Sequence, residues 1–261
     1  FGPDSWVNSM AATDDAYVAT VGGQFGQSLW SSRDGIEWAR AEIGERGANV
    51  TSVSSFGDTL IAAGSDADGR GAVWTSSDGT TWEQHELPVE SVGWIDRVHA
   101  GSSGYAILAQ SDGQQNPGPA EIFVDELTVE VGQNGAFTVL DADGNELAVI
   151  YGEEATYEGN QIILPDAETG EMLVTFTQEE LNAAWEAVWR TFEGGFQPEG
   201  PQYVLLLSAD GVEWTAFDIA EQVTNFYPNA VALGDEAIVM TGWSEGAVEG
   251  GGQAMWVGTA P

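Results

Sequence analysis

The sequence contains no cysteine and no lysine. Its 261 residues carry six cations, all arginine, against 42 acidic residues, for a formal net charge of −36. Each shortage excludes something. Without cysteine there is no disulfide framework and no thiolate zinc site. Six arginines cannot neutralise a polyphosphate backbone, so nucleic acid and anionic membranes are poor partners. The two histidines, His85 and His99, stand alone, and no H-E-x-x-H pattern occurs. Each is expected as a solvated or hydrogen-bonded side chain. No P-loop, no G-x-S-x-G elbow and no dinucleotide fingerprint is present. No run of eighteen apolar residues occurs, so no membrane-spanning helix is expected. No signal peptide is visible, and the chain opens at Phe1 rather than Met. It therefore reads as a mature or trimmed product, with secretion allowed.

What remains is folded and acidic. Hydrophobic residues make up 43% and aromatics 10%, which separates the chain from acidic disordered sequences. The length allows one large domain or two small ones. A shell this anionic repels itself at low salt, and counter-ions relieve the repulsion. Two readings follow: adaptation to a salty medium, or a surface that binds Ca²⁺ or cationic partners.

A repeat is the strongest signal. Ser32-Arg33-Asp34-Gly35-Ile36-Glu37-Trp38, Ser76-Ser77-Asp78-Gly79-Thr80-Thr81-Trp82 and Ser208-Ala209-Asp210-Gly211-Val212-Glu213-Trp214 all spell S-x-D-G-x-x-W. The first two lie 44 residues apart, and Trp30 and Trp74 repeat at the same interval. Short strand pairs precede each motif: 6–10 with 16–21, 50–53 with 59–63, and 94–98 with 105–108. A fourth pair, 229–233 with 237–240, has no motif after it. Each unit thus reads as two strands, a Gly-rich loop, a third strand, a D-G turn and a fourth strand. Four antiparallel strands in roughly 40–45 residues is the period of a propeller blade. The turn needs positive φ, which glycine supplies. The Asp accepts backbone N–H bonds across it, and Ser does so more weakly. The Trp returns on the next strand and wedges between sheets. Asp34, Asp78 and Asp210 are therefore expected to be structural.

These motifs resemble the Asp-box, or BNR, repeats of sialidase-like β-propellers. The usual box reads S-x-D-x-G-x-x-W, and this chain lacks the residue between Asp and Gly at all three sites. It is closer to a shortened variant of uncharacterised bacterial secreted propellers. The resemblance covers about 1–115 and 202–261. It implies architecture rather than activity, since such boxes occur in propellers of unrelated functions.

Two irregularities interrupt the pattern. Ser76 and Ser208 lie 132 residues apart, 88 more than one period. Two degenerate blades would fit that length, as would an inserted domain. Residues 177–192 favour insertion, because they read as a helix: Thr177 and Glu180 form a capping box, and Leu181, Ala184, Trp185, Val188 and Phe192 share one face. Strands are expected at 122–131, 136–140, 146–151 and 172–176, with a hairpin turn at 141–145. Segments 116–119 and 194–198 are linker-like. The expected division is 1–115 (blades 1 and 2 and half of blade 3), 116–201 (a small α+β insert) and 202–261 (the rest of blade 3 and an incomplete blade 4). The fourth unit runs through 255–258 and stops at Pro261 without an outer strand. A closed four-blade ring, a fragment of a larger propeller and an edge completed by another subunit all fit.

A sialidase of the resembling family would need three clustered arginines, a Tyr–Glu nucleophile pair and an acid Asp near the axis. Asp96 and Arg97 occupy a first-strand position, but Arg33 and Arg70 fall at outer turns and Arg190 on the helix, so no triad assembles. Other glycosidases need only two carboxylates at a set separation, which 42 acidic residues make uninformative. Asp66 with Asp68, and Asp141 with Asp143 and Asn145, offer hard oxygen ligands for Ca²⁺ close together. A plain turn is the alternative reading of each, and Gly152 stands where an EF-hand after Asp141 would need Glu. Trp6, Trp94, Trp185, Trp189 and Trp243 are expected in packing. The sequence therefore points to a mainly β propeller with an α+β insert, acting as a non-catalytic extracellular binding or scaffold module for a glycan or protein ligand. A carbohydrate-active hydrolase using axial carboxylates and a self-assembling cell-surface subunit are the alternatives.

Overall fold

The computed structural model describes residues 5–23, 26–45, 47–88, 92–111, 119–132, 135–152, 154–166, 169–193, 203–219, 226–244 and 252–259. Of the two linker-like segments, only Pro119 lies among them. The fold is mainly β, with one helix among the described residues. It divides into two compact units: Phe1–Gln114 with Pro198–Pro261, and Gln115–Gln197.

The first unit opens with β1 (Trp6–Ala12), β2 (Tyr17–Gly23), β3 (Gly26–Ser32) and β4 (Ala39–Ala41), paired in that order as a four-stranded antiparallel sheet. The second sheet repeats it with β5 (Asn49–Phe56), β6 (Thr59–Ser65), β7 (Gly71–Ser76) and β8 (Glu83–His85). β9 (Val92–Gly101) and β10 (Gly104–Ser111) begin a third sheet, and the chain then enters the second unit.

There β11 (Ala120–Val124), β12 (Leu127–Val131), β13 (Ala136–Leu140) and β14 (Glu146–Tyr151) form one meander. β15 (Thr156–Glu158), β16 (Gln161–Pro165) and β17 (Met172–Thr177) form a three-stranded sheet, and α1 (Gln178–Glu193) follows. The expected single strand at 122–131 is corrected to two strands. The chain reverses at Asp125, which takes φ 54°, a left-handed conformation that Asp tolerates better than most residues. β15 and β16 were not expected; they turn at Gly159, whose φ is 64°. Phe137 and Phe176 are buried and pack ring to ring at 5.8 Å, joining the two sheets. The helix starts where the capping box puts it: Glu180 Oε2 accepts the Thr177 N–H at 2.7 Å, and Thr177 Oγ1 accepts the Glu180 N–H at 3.2 Å. Leu181 is buried, Ala184, Trp185 and Val188 are half-buried, and α1 packs against β11 and β17. The side chains of Trp189 and Phe192 lie outside the described residues.

The chain returns to the third sheet with β18 (Tyr203–Ser208) and β19 (Thr215–Asp218), giving the order β19-β18-β10-β9. A last sheet has three strands, β20 (Phe226–Leu233), β21 (Ala237–Ser244) and β22 (Gly252–Thr259). The four sheets of this unit stack in chain order with an apolar core at each junction. Val18, Leu29, Val53 and Leu60 meet between the first and second. Ile61, Val73, Ile95 and Tyr105 meet between the second and third, and Ala106, Leu205, Val231 and Met240 between the third and fourth. Period-2 alternation explains how one strand serves two cores: Leu60 and Ile61 are neighbours in sequence and face opposite ways.

The first strand of each of these four sheets carries a bulge at the same place. The extra residues are Asn8, Thr51, Asp96 and Asn229, all polar. Among the described residues, no helix is long and apolar enough to cross a membrane.

Candidate functional site

The three S-x-D-G-x-x-W motifs adopt one geometry. In the first, Asp34 Oδ1 accepts the N–H groups of Ile36 and Glu37 at 2.8 and 2.9 Å. Ser32 Oγ accepts the Gly35 N–H at 2.9 Å, and Trp38 Nε1 donates to the Gly35 carbonyl at 3.2 Å. Asp78 accepts from Thr80 and Thr81, both at 2.8 Å, with Ser76 bonded to Gly79 and Trp82 to the Gly79 carbonyl. Asp210 accepts from Val212 and Glu213 at 2.9 and 3.0 Å, with the same Ser208 and Trp214 bonds. Gly35, Gly79 and Gly211 take φ of 72°, 72° and 82°, where only glycine is unstrained.

These donors set the carboxyl chemistry. The backbone N–H of Glu37 and then that of Ile36 hold Asp34 below the ordinary carboxylate range. Thr81 and Thr80 do so for Asp78, and Val212 and Glu213 for Asp210. Such groups are poor general acids, because they stay ionised through the neutral range.

Each later turn also seats on the preceding sheet. A β-carbon on Gly79 would stand 3.0 Å from Val18 Cγ1, and one on Gly211 would stand 3.1 Å from Thr75 Cγ2. Trp214 is buried in the core between the second and third sheets, and Trp82 packs on the core before it. Among the described residues Gly35 meets only Tyr17 of its own sheet, at 3.9 Å, and Ile36 beside it is exposed.

The calcium candidates are folded into turns. Asp66 Oδ1 accepts the N–H groups of Asp68 and Arg70 at 3.0 and 2.9 Å, while Asp68 pairs with the Arg70 guanidinium at 3.2 Å. Asp141 Oδ1 accepts from the backbone of Asp143 and Asn145, and the Asn145 side chain donates to both Asp141 oxygens. The Asn145 amide, then its backbone N–H, lowers the Asp141 carboxyl. Among the described residues, no group of three or more His, Asp and Glu side chains is placed to hold a metal ion.

The arginines are dispersed. Arg33 is exposed beside the first motif, Arg40 lies in β4, Arg97 is exposed in β9, and Arg190 pairs with Glu186 at 2.9 Å. Arg46 lies outside the described residues. His85 Nε2 lies 2.7 Å from the Thr75 hydroxyl. Trp6 and Trp243, expected in packing, are instead exposed; each sits on an end sheet of the stack. The side chain of Trp94 lies outside the described residues.

Sequence reasoning missed what ties the sheets together. Ser9 Oγ accepts the Val53 N–H at 2.9 Å, and Ser52 Oγ accepts the Val98 N–H at 3.3 Å. Thr51 Oγ1 donates to the Ile95 carbonyl at 2.8 Å. Within the first and fourth sheets the bulged residues bond to their own sheet: Asn8 donates to Gln27 Oε1 at 2.7 Å, and Asn229 accepts from Thr241 at 3.3 Å. The available signal was a polar residue recurring inside each apolar first strand.

No protein-family model matches the chain, and no curated protein matches it. Solved structures similar to it include YCF48 bound to D1 peptide, at 12% identity and a TM-score of 0.31, over 97% of this chain and 78% of that one. The WD40 β-propeller domain of Doa1 is similar at 10% identity and a TM-score of 0.28, over 93% of this chain and 91% of that one. The β-propeller domain of the Trilobed protease from Pyrococcus furiosus is similar at 8% identity and a TM-score of 0.29, over 99% and 84%.

Proposed function

We propose that the first unit is a run of Asp-box β-propeller blades and that the protein is a non-catalytic binding or scaffold module outside the cell, with the second unit inserted in its third blade. The carrying observation is how the repeated carboxylates are used. Asp34, Asp78 and Asp210 each hold a tight turn through two backbone N–H groups. The motif that recurs through the chain thus serves shape rather than reaction. In a propeller, first strands line the axis, so the bulged stretches of the four first strands, with Asn8 and Asn229 exposed on them, would lie toward one channel. The ligand is a glycan or a protein segment that hydrogen-bonds there.

The test pairs glycan and peptide arrays with a panel of chromogenic glycosides. Binding without turnover is expected. Turnover that disappears in Asp96→Asn would replace this reading with a hydrolase working through an axial carboxylate.

A further inference from the structure

We infer that a second copy of this chain packs head to tail on the first unit, the fourth sheet of one copy against the first sheet of the other, to form a closed pair.

The inference comes from repeat-equivalent positions. Counting from the bulge, Met10, Val53, Val98 and Val231 occupy one position in the four first strands. It faces the preceding sheet. Val53, Val98 and Val231 are 4%, 3% and 4% exposed, whereas Met10 is 59% exposed. Tyr17 and Ile36 share the exposure of Met10. The opposite face shows the reverse. Leu29, Val73, Leu205 and Met255 are equivalent in the third strands, each paired with the residue across from the bulge. This position faces the following sheet. Leu29, Val73 and Leu205 are 1%, 0% and 2% exposed, whereas Met255 is 67% exposed, and Val257 beside it is also exposed.

The two end surfaces are therefore the unmatched halves of one interface that the chain already builds three times. Isolated apolar side chains at a surface are ordinary, but contiguous ones mark a contact. What covers each half at the internal junctions is the other half, and one chain carries both. A second copy supplies both complements: each junction joins unlike faces, and a half-turn that makes both junctions at once closes the pair. The strands that would meet carry no charge of their own. In a chain with 42 acidic residues, the strands β1, β2 and β3 and the strands β20, β21 and β22 contain no charged residue. Two copies contribute four sheets each, which stays within the roughly four to eight blades of propeller rings. The pairing depends on the sheets alone and needs no ligand, so its failure and the failure of the binding reading are separate results.

The experiment is light scattering of the intact chain across a concentration series in about 1 M NaCl, where the Debye length is about 3 Å. The expected result is a mass that rises to twice that of the chain and stops there. Met10→Glu and Met255→Glu should each return the monomer mass. An equimolar mixture of the two variants should regain the doubled mass, because each pair then keeps one intact junction. Circular dichroism identical to wild type establishes that the variants fold; where it differs, Met10→Ser and Met255→Ser are read in their place. A monomer at every concentration overturns the inference and leaves the faces to another sheet or a foreign protein. Loss of the pair in only one variant overturns it in favour of a face meeting itself. Mass that grows without a plateau overturns closure.

Discussion

Ser9 and Val53 are joined across two sheets, the hydroxyl of one accepting the backbone N–H of the other at 2.9 Å. Ser52 and Val98 repeat the bond one sheet later, and Ser52 is fully buried. Removing the acceptor strands a buried N–H, which costs about 1–3 kcal/mol. Ser52→Ala should lower unfolding free energy by that amount in urea titration, with Ser52→Thr closer to wild type. An unchanged midpoint in Ser52→Ala would mean that a water replaces the bond.

The turn glycines allow a graded test. Gly35, Gly79 and Gly211 share positive φ, so alanine at any of them pays about 1–2 kcal/mol of backbone strain. Gly79 and Gly211 also seat against the preceding sheet, while a β-carbon on Gly35 would make only an ordinary contact with Tyr17 at 3.9 Å among the described residues. Gly79→Ala and Gly211→Ala should therefore destabilise more than Gly35→Ala in equilibrium unfolding. Equal losses at all three would show that backbone strain is the whole effect.

Acid should act on the same turns. The carboxyls of Asp34, Asp78 and Asp210 are depressed in the folded chain by backbone donors. Unfolded Asp titrates near about 3.9. Their contribution is complete above that pH and disappears as pH falls through the lower folded values. Self-repulsion among the other carboxylates changes over the same range, so the readout is a difference. The gap in melting midpoint between wild type and Asp78→Asn should be largest near neutral pH and narrow steadily below about pH 4. A constant gap would assign the Asp78 effect to geometry alone.

Salt and calcium can be separated. A net charge of −36 predicts that the melting midpoint rises with NaCl. Asp66 and Asp141 each turn Oδ1 to two backbone donors. CaCl₂ and MgCl₂ at equal concentration should therefore raise the midpoint equally. An excess for calcium that vanishes in Asp141→Ala would establish a specific site there.

Much of the first unit was legible because its signals are local. A glycine after Asp, an alternating strand and a Trp at fixed spacing each act within a few residues, and the three turns follow them. The helix was legible for the same reason, through Thr177 and Glu180. The reversal at Asp125 was hidden because no glycine marks it, and Asp took the left-handed position instead. The exposure of Met10 was hidden for a different reason. Met10 and Val53 look alike in sequence, and only the presence or absence of a neighbouring sheet distinguishes them.

The contact between α1 and β11 bears on how the chain folds. Gln110 and Tyr203 pair side by side in the third sheet, yet the whole of Gln115–Gln197 lies between them in sequence. Closing a loop of that length through floppy chain is slow and entropically unfavourable. α1, near the end of the excursion, packs on β11, near its start. Once the second unit has folded, its own structure draws the two halves of the hairpin together. Early folding of the second unit would then act as an internal template for β10 and β18, so that the rate at which the third sheet forms is set inside a different unit.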